Sequence, residues 1–139
     1  MAKSEMDYLR ANSIFTLGEL REHSAINNYV FKLITMYSDE IKKAVQQVKD
    51  GKAVVLDVRR NDEWRAGHAK DAVHLDSDRL LGLGESPDID KEMPIYAYCK
   101  SGGRAGRVKT ALTQRGFANV YNLGGLSDWE AAGGEVETE

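Results

Sequence analysis

The sequence predicts an α/β domain built on a mostly parallel β-sheet. From residue 36 onward, short apolar runs alternate with amphipathic segments, a pattern typical of a parallel sheet with helices on its faces. Residues 54–58 are apolar except for Asp57, as in a central strand that is covered on both faces. A chain of 139 residues with 42% hydrophobic and 29% charged residues has the size and composition of one globular domain.

The first helix of the predicted domain precedes this central strand. Ser38 and Asp39 are residue types that cap helices, and Asp50-Gly51 is a suitable end. The apolar residues between them recur at helical spacing and form one stripe: Ile41, Ala44, Val45 and Val48.

Further strands and helices are predicted in alternation. Strands are expected over residues 54–58, 73–75, 95–98 and 120–123, with a short helix around 62–66. A helix bearing Val108, Ala111 and Leu112 is expected to end before Gly116. Near the end of the chain, Gly124-Gly125 predicts a turn, Ser127 a cap, and Trp129 a last short helix, after which the final acidic residues are expected to fray.

Residues 1–35 have a different pattern from the predicted domain of residues 36–139. Thr16 and Glu19 have the spacing of a capping box. An apolar stripe at helical spacing follows them: Ile26, Tyr29, Val30, Leu33 and Ile34. We expect a helical extension that packs on the sheet or covers one of its edges, with a docking or dimerisation helix as the alternative.

Charge and composition exclude several classes of function. A net charge of −3 argues against a nucleic-acid partner. No apolar run is long enough to span a membrane, and the first residues lack the apolar core of a signal peptide, so we expect a cytoplasmic protein with no membrane partner. The single cysteine, Cys99, cannot form an internal disulfide or a multi-thiolate metal site, which leaves an inert or a reactive thiol.

The segment from Cys99 to Gly106 is the candidate site. It joins a predicted strand to a predicted helix, where ligands bind in open α/β sheets. Gly102 and Gly103 allow the backbone to curl its N–H groups inward, toward whatever lies on the sulfur. Lys100 and Arg104, with the helix N-terminus, favour the thiolate form of Cys99. The nucleophile would then need no histidine base.

These residues resemble the rhodanese family, whose reactive cysteine lies in a Cys-x-x-Gly-x-Arg loop between a strand and a helix. Three further segments resemble family motifs in the same order, so that the resemblance covers roughly residues 36–134: residues 56–59, residues 63–68 with 72–75, and Gly124-Gly125 with Trp129 and Gly133. The resemblance implies a five-stranded, mostly parallel central sheet with helices on both faces.

The resemblance also implies sulfur transfer without a metal or organic cofactor. In this reaction, the Cys99 thiolate takes sulfur from a small anionic donor such as thiosulfate and passes it to a thiophilic acceptor, such as cyanide or a thioredoxin-like or glutathione-like thiol. The expected substrate-binding residues are Lys100, Ser101, Gly102, Gly103, Arg104 and Arg59. The alternatives are a sulfur-relay module that is loaded by a partner protein, and a redox-regulatory domain in which Cys99 senses oxidants.

Other side chains of these motifs are expected to support the site. Asp57 is interpreted as a buried structural carboxylate, because an ionised Cys99 leaves a general base no proton to remove. Glu63 is expected to pair with Arg104, and His68 and His74 to shape the fold rather than to act in catalysis.

Cysteine phosphatases have a similar layout, but five residues separate their cysteine from the arginine, whereas four do so here, which favours sulfur over phosphate.

Overall fold

Four parallel strands form the central sheet of the protein, in the order Val73–His74, Val54–Asp57, Ile95–Cys99 and Val120–Gly125. The computed structural model describes residues 28–139, with side chains from residue 36 onward. The helices and strands follow in this order: α1 Asn28–Lys49, β1 Val54–Asp57, α2 Asn61–Ala66, β2 His68–Ala69, β3 Val73–His74, α3 Ser77–Gly82, β4 Ile95–Cys99, α4 Gly103–Gln114, β5 Val120–Gly125, α5 Leu126–Ala131 and β6 Val136–Glu137. The predicted α/β fold is therefore confirmed.

Helices cover both faces of this sheet, because successive residues of a strand point to opposite sides. On one face, Val55 and Tyr98 belong to a core cluster with residues of α1 and α5. On the other face, Leu56 and Cys99 belong to a second cluster with residues of α3 and α4. None of the helices over residues 28–139 combines the length and apolarity needed to cross a bilayer.

The parallel arrangement places the candidate site at one edge of the sheet. Strand β4 lies between β1 and β5, with Tyr98 beside Asp57 on one side and beside Gly124 on the other. The register between β4 and β5 shifts after Ala97, so that Leu123 is an extra residue on β5. Cys99 is the last residue of β4, at the carboxyl edge of the sheet, where ligands bind in open α/β folds.

The strand count differs from the expected five. Over residues 28–139 the main sheet has four strands, all parallel, and a separate antiparallel ribbon pairs β2 with β6. In this ribbon His68 lies opposite Glu137 and Ala69 opposite Val136. The prediction that the final acidic residues fray is therefore wrong for Val136 and Glu137, which pair with β2.

The first described helix is longer than predicted. Helix α1 begins at Asn28, so Ser38 lies inside it and does not cap it, although the predicted end at Gly51 is confirmed by a left-handed φ of 71°. The division at residue 36 falls within this helix and stays a prediction. Thr16, Glu19 and Ile26 lie outside the described residues.

The C-terminal helix begins in a different way from the predicted one. Gly124 and Gly125 end strand β5 instead of forming a separate turn, and Gly125 is the N-cap of α5. The Asp128 carboxylate accepts a hydrogen bond from the Gly125 backbone N–H at 2.8 Å, so Ser127 is not the cap. Helix α3 was not predicted, because its six residues are too few to show a clear apolar period.

We expect Gly134→Ala to destabilise the fold by roughly 1–3 kcal/mol, because a Cβ there would overlap the indole ring of Trp129. Trp129 is 2% exposed and its Nε1 donates to the Glu135 carbonyl at 2.7 Å, so the ring cannot move aside cheaply. Urea unfolding measures the change. Gly82→Ala is the control, because that helical position has open space around it; equal stability of the two variants would contradict the packing argument.

Candidate active site

The backbone after strand β4 curls around the sulfur of Cys99. The Gly102 N–H donates to Cys99 Sγ at 3.0 Å, and Cys99 is 1% exposed. Gly102 has a φ of 104°, in the left-handed region that residues with a Cβ rarely adopt. The predicted inward turn of the loop therefore exists, and the sulfur lies at its base.

The outer part of this loop is polar and exposed. Lys100, Ser101 and Gly103 are all exposed, whereas Gly102 is buried between them. Helix α4 begins at Gly103, and its first N–H groups have no partner within the helix. The mouth of the loop thus combines a lysine charge with unpaired backbone donors, a combination that suits an anion.

Strand β5 forms a floor beneath the loop. Asn122 is 3% exposed, and its Nδ2 donates to the Gly102 carbonyl at 2.9 Å while its Oδ1 accepts from the Gly124 N–H at 3.0 Å. A Cβ at Gly125 would overlap the backbone carbonyl of Lys100, so the strand approaches the loop more closely than any side chain allows. Sequence reasoning missed Asn122; a lone polar residue in a predicted buried strand was the available signal.

Arg104 is held by Glu63, as predicted, in a two-pronged ion pair. Its two terminal nitrogens donate to Glu63 Oε1 and Oε2 at 2.7 and 3.1 Å. Hydrogen bonding from Arg104, opposed by partial burial, lowers the pKa of Glu63 from 4.5 to about 2. The pKa of Arg104 is raised, first by the Glu63 hydrogen bond and in smaller part by the charge and hydrogen bonding of Cys99. The guanidinium therefore interacts strongly with the carboxylate and more weakly with the sulfur.

An aromatic stack fixes helix α2, which carries Glu63. The Trp64 ring stacks on His68 with a centroid separation of 3.4 Å and on His74 with one of 4.7 Å. Each imidazole is tied to backbone, His68 Nδ1 to the Trp64 carbonyl at 2.8 Å and His74 Nε2 to the Arg59 carbonyl at 2.7 Å. His68 thus has the supporting place predicted for it, and both histidines are occupied in packing the helix.

A buried polar network lies under the site on the other face of the sheet. Asp57 is fully buried and accepts hydrogen bonds from Arg59 Nη2 at 2.7 Å and from the Tyr98 hydroxyl at 2.5 Å. Burial raises the pKa of Tyr98, and the charge and hydrogen bond of Asp57 act in the same direction. The hydroxyl therefore stays protonated and accepts from the Ala69 N–H at 3.0 Å. Asp57 has the structural surroundings predicted for it.

The structure corrects the prediction that Arg59 faces the substrate. Its guanidinium pairs with Asp57, donates to the Gly67 carbonyl at 2.6 Å and lies over the Tyr98 ring, leaving Arg59 7% exposed. Tyr98 and Cys99 point to opposite faces of the sheet, so Arg59 packs on the face away from the sulfur. The buried Asp57 carboxylate therefore holds the Arg59 side chain away from the Cys99 loop.

Comparison with known proteins places this geometry in a family. Residues 40–132 match the family model described as the rhodanese-like domain. Thiosulfate sulfurtransferase GlpE from Coxiella burnetii is 36% identical over 90 residues, covering 64% of this chain and 82% of that protein. The tRNA uridine(34) hydroxylase of Chlamydia caviae is 26% identical over 148 residues, covering 89% of this chain but only 45% of that protein.

A solved structure agrees with this assignment. The Alr3790 protein from Anabaena superposes with a TM-score of 0.62 at 27% identity, covering 70% of this chain and 89% of that one. The family match spans most of the described residues, including the Cys99 loop, Glu63 and Asn122.

We expect the Glu63→Gln variant to lose about 1 kcal/mol of stability near pH 7, because glutamine keeps the size but not the charge that holds Arg104. A lowered carboxyl pKa adds stability above the unfolded value of 4.5, and that stability disappears as the pH falls toward 2. The difference between the wild type and the variant should therefore shrink between these two values.

Urea unfolding at several pH values measures that difference. Glu85→Gln is the matched control, because Glu85 pairs with Arg79 at an exposed surface position, where an ion pair contributes little. If the wild type is still more stable than Glu63→Gln by the same amount near pH 2, the result contradicts a lowered pKa for Glu63.

Proposed function

The chain belongs to the rhodanese-like domain family, and from that premise we propose that it is a sulfurtransferase that carries sulfur as a persulfide on Cys99. The observation that carries the proposal is the Gly102 N–H at 3.0 Å from Cys99 Sγ, in a loop with an exposed lysine at its mouth. Backbone donors aimed at a cysteine sulfur stabilise negative charge there. The likeness to thiosulfate sulfurtransferase GlpE supports the same reaction.

In the first step, the Cys99 thiolate attacks the outer sulfur of thiosulfate. A sulfur–sulfur bond forms to Cys99, the bond between the two sulfurs of thiosulfate breaks, and its electron pair leaves with sulfite. The negative charge of the thiolate moves to the terminal sulfur of the persulfide. No proton is transferred, so the step needs no general base, consistent with two histidines that are both engaged in packing Trp64.

Different residues in and around the loop stabilise the different charges in this step. The Gly102 N–H donates to the Cys99 sulfur, on which the persulfide forms, and helix α4 begins with the next residue, Gly103. Lys100, exposed at the mouth, attracts the doubly charged donor and the leaving sulfite. Arg104 contributes a fixed positive charge beside Cys99, and Glu63 prevents it from swinging away.

In the second step, an acceptor removes the terminal sulfur and regenerates the thiolate. Cyanide gives thiocyanate, and a thiolate acceptor of the thioredoxin-like or glutathione-like kind gives its own persulfide. The Cys99 sulfur is the leaving group in both cases, and the same N–H groups that stabilised the first thiolate stabilise it again. A cytoplasmic setting, where thiols are kept reduced, suits this chemistry.

The alternative is a relay module that receives its sulfur from a partner protein. The burial of Cys99, which is 1% exposed, favours small donors that enter the loop over bulky ones. The relay therefore ranks second. It requires loading by a protein persulfide without appreciable loading by thiosulfate.

We expect thiosulfate to add about 32 Da to the reduced protein, the mass of one sulfur, and cyanide to remove it as thiocyanate. Intact-mass spectrometry follows the loading, and a thiocyanate assay follows the transfer. Cys99→Ser should show neither, because its hydroxyl is not ionised near neutral pH. Loading only by a partner's persulfide would indicate the relay module, and no loading under either condition would overturn sulfur transfer.

We expect Lys100→Gln to raise the KM for thiosulfate about fivefold with a smaller effect on kcat, because an exposed charge contributes on the order of 1 kcal/mol to anion binding. The effect should decrease with added salt. Steady-state kinetics at two ionic strengths measure both quantities. Lys52→Gln is the control, since Lys52 precedes β1 at the opposite edge of the sheet; an equal change in the two variants would exclude a local role for Lys100.

A further inference from the structure

Asn122 connects strand β5 to the loop around the sulfur through two hydrogen bonds. It reaches the Gly102 carbonyl with Nδ2 at 2.9 Å and the Gly124 N–H with Oδ1 at 3.0 Å. Both groups of its amide are therefore used, and at 3% exposure the side chain is out of reach of bulk water. Such a buried amide is costly unless it is fully bonded, so its place in the core calls for a specific role.

The two peptide planes of Gly102 explain what this contact controls. Its own N–H belongs to one plane and donates to Cys99 Sγ at 3.0 Å. Its carbonyl belongs to the next plane, together with the Gly103 N–H, and a trans peptide directs these two groups to opposite sides. The Gly102 carbonyl accepts hydrogen bonds from Asn122 Nδ2 and, at 2.9 Å, from the Gly106 N–H. The Gly103 N–H therefore points out of the helix N-terminus.

The left-handed backbone conformation of Gly102 needs support from neighbouring residues. Glycine adopts positive and negative φ about equally well, so the residue itself does not select the φ of 104° that is observed. Rotation about the N–Cα bond of Gly102 would move its N–H relative to its carbonyl, so a carbonyl that is held in place helps to keep the N–H on the sulfur. The contact from Asn122 opposes this rotation.

We infer that Asn122 is a positioning residue for sulfur transfer, which holds the Gly102 carbonyl and thereby keeps the Gly102 N–H directed at Cys99 Sγ. This inference rests on the proposed sulfurtransferase function for its kinetic consequence, but its geometric part concerns the thiolate alone. Asn122 acts through the backbone and contacts neither the sulfur nor the donor. Its loss should therefore slow the chemical step without weakening the binding of thiosulfate.

Two variants of the full-length protein test this role. Asn122→Asp keeps the shape and the acceptor for the Gly124 N–H but cannot donate to the Gly102 carbonyl. Asn122→Ser is neutral, and its side chain is too short to reach that carbonyl, so it decides the question if the aspartate variant does not fold. Asn119→Asp is the matched control, because Asn119 donates to the Glu92 carbonyl outside the loop.

Two measurements are made on each folded variant. We expect kcat for sulfur transfer from thiosulfate to cyanide to fall about tenfold, with KM within about twofold of the wild type, less than the loss expected for removing a direct donor. The pH profile of Cys99 alkylation by iodoacetamide, a neutral reagent that reacts with the thiolate, should move to higher pH. Asn119→Asp should change neither measurement.

The outcomes separate this inference from the proposed function. A wild-type alkylation profile in either folded Asn122 variant overturns the positioning role, as does a loss confined to KM. If the wild type itself transfers no sulfur, the proposed function fails, and the alkylation profiles alone then decide whether Asn122 sets the state of Cys99.

Discussion

The backbone conformation of the Cys99 loop is the constraint on which the site depends. A sulfur that is 1% exposed keeps a negative charge only if donors replace the water it has lost, and the Gly102 N–H at 3.0 Å is such a donor. That donor exists because Gly102 adopts a left-handed φ, and the loop keeps its shape because β5 supports it from below. The surrounding strands and helices hold the few peptide groups of this loop in place.

Support reaches the loop from three directions, each by a different interaction. Asn122 and the bare backbone of Gly125 support it from β5, Glu63 holds Arg104 from α2, and the first turn of α4 begins within it. The network of Asp57, Arg59 and Tyr98 ties the neighbouring strands β1 and β4 together on the opposite face. Polar groups thus hold the site on both sides of the sheet, next to two clusters of buried apolar side chains.

The sequence predicted the fold and the curled loop after Cys99 because both produce local signals. Apolar runs of strand length alternating with helical stripes specify an α/β sheet, and a cysteine followed by two glycines and an arginine marks a curled loop. The Glu63–Arg104 pair was also predicted, from motif resemblance. The predictions that were wrong depended on burial and tertiary packing. Arg59 turns toward a buried carboxylate, and the acidic C-terminal segment forms strand β6 by pairing with β2, which no local pattern reveals.

A crystal structure of the protein after treatment with thiosulfate tests the role of the Cys99 loop most directly. We expect one additional sulfur bonded to Cys99, within hydrogen-bond distance of the backbone N–H groups of the loop, with the Gly102 carbonyl still bonded to Asn122. A loaded sulfur that points away from these N–H groups, or a loop whose peptide planes rotate on loading, would contradict it.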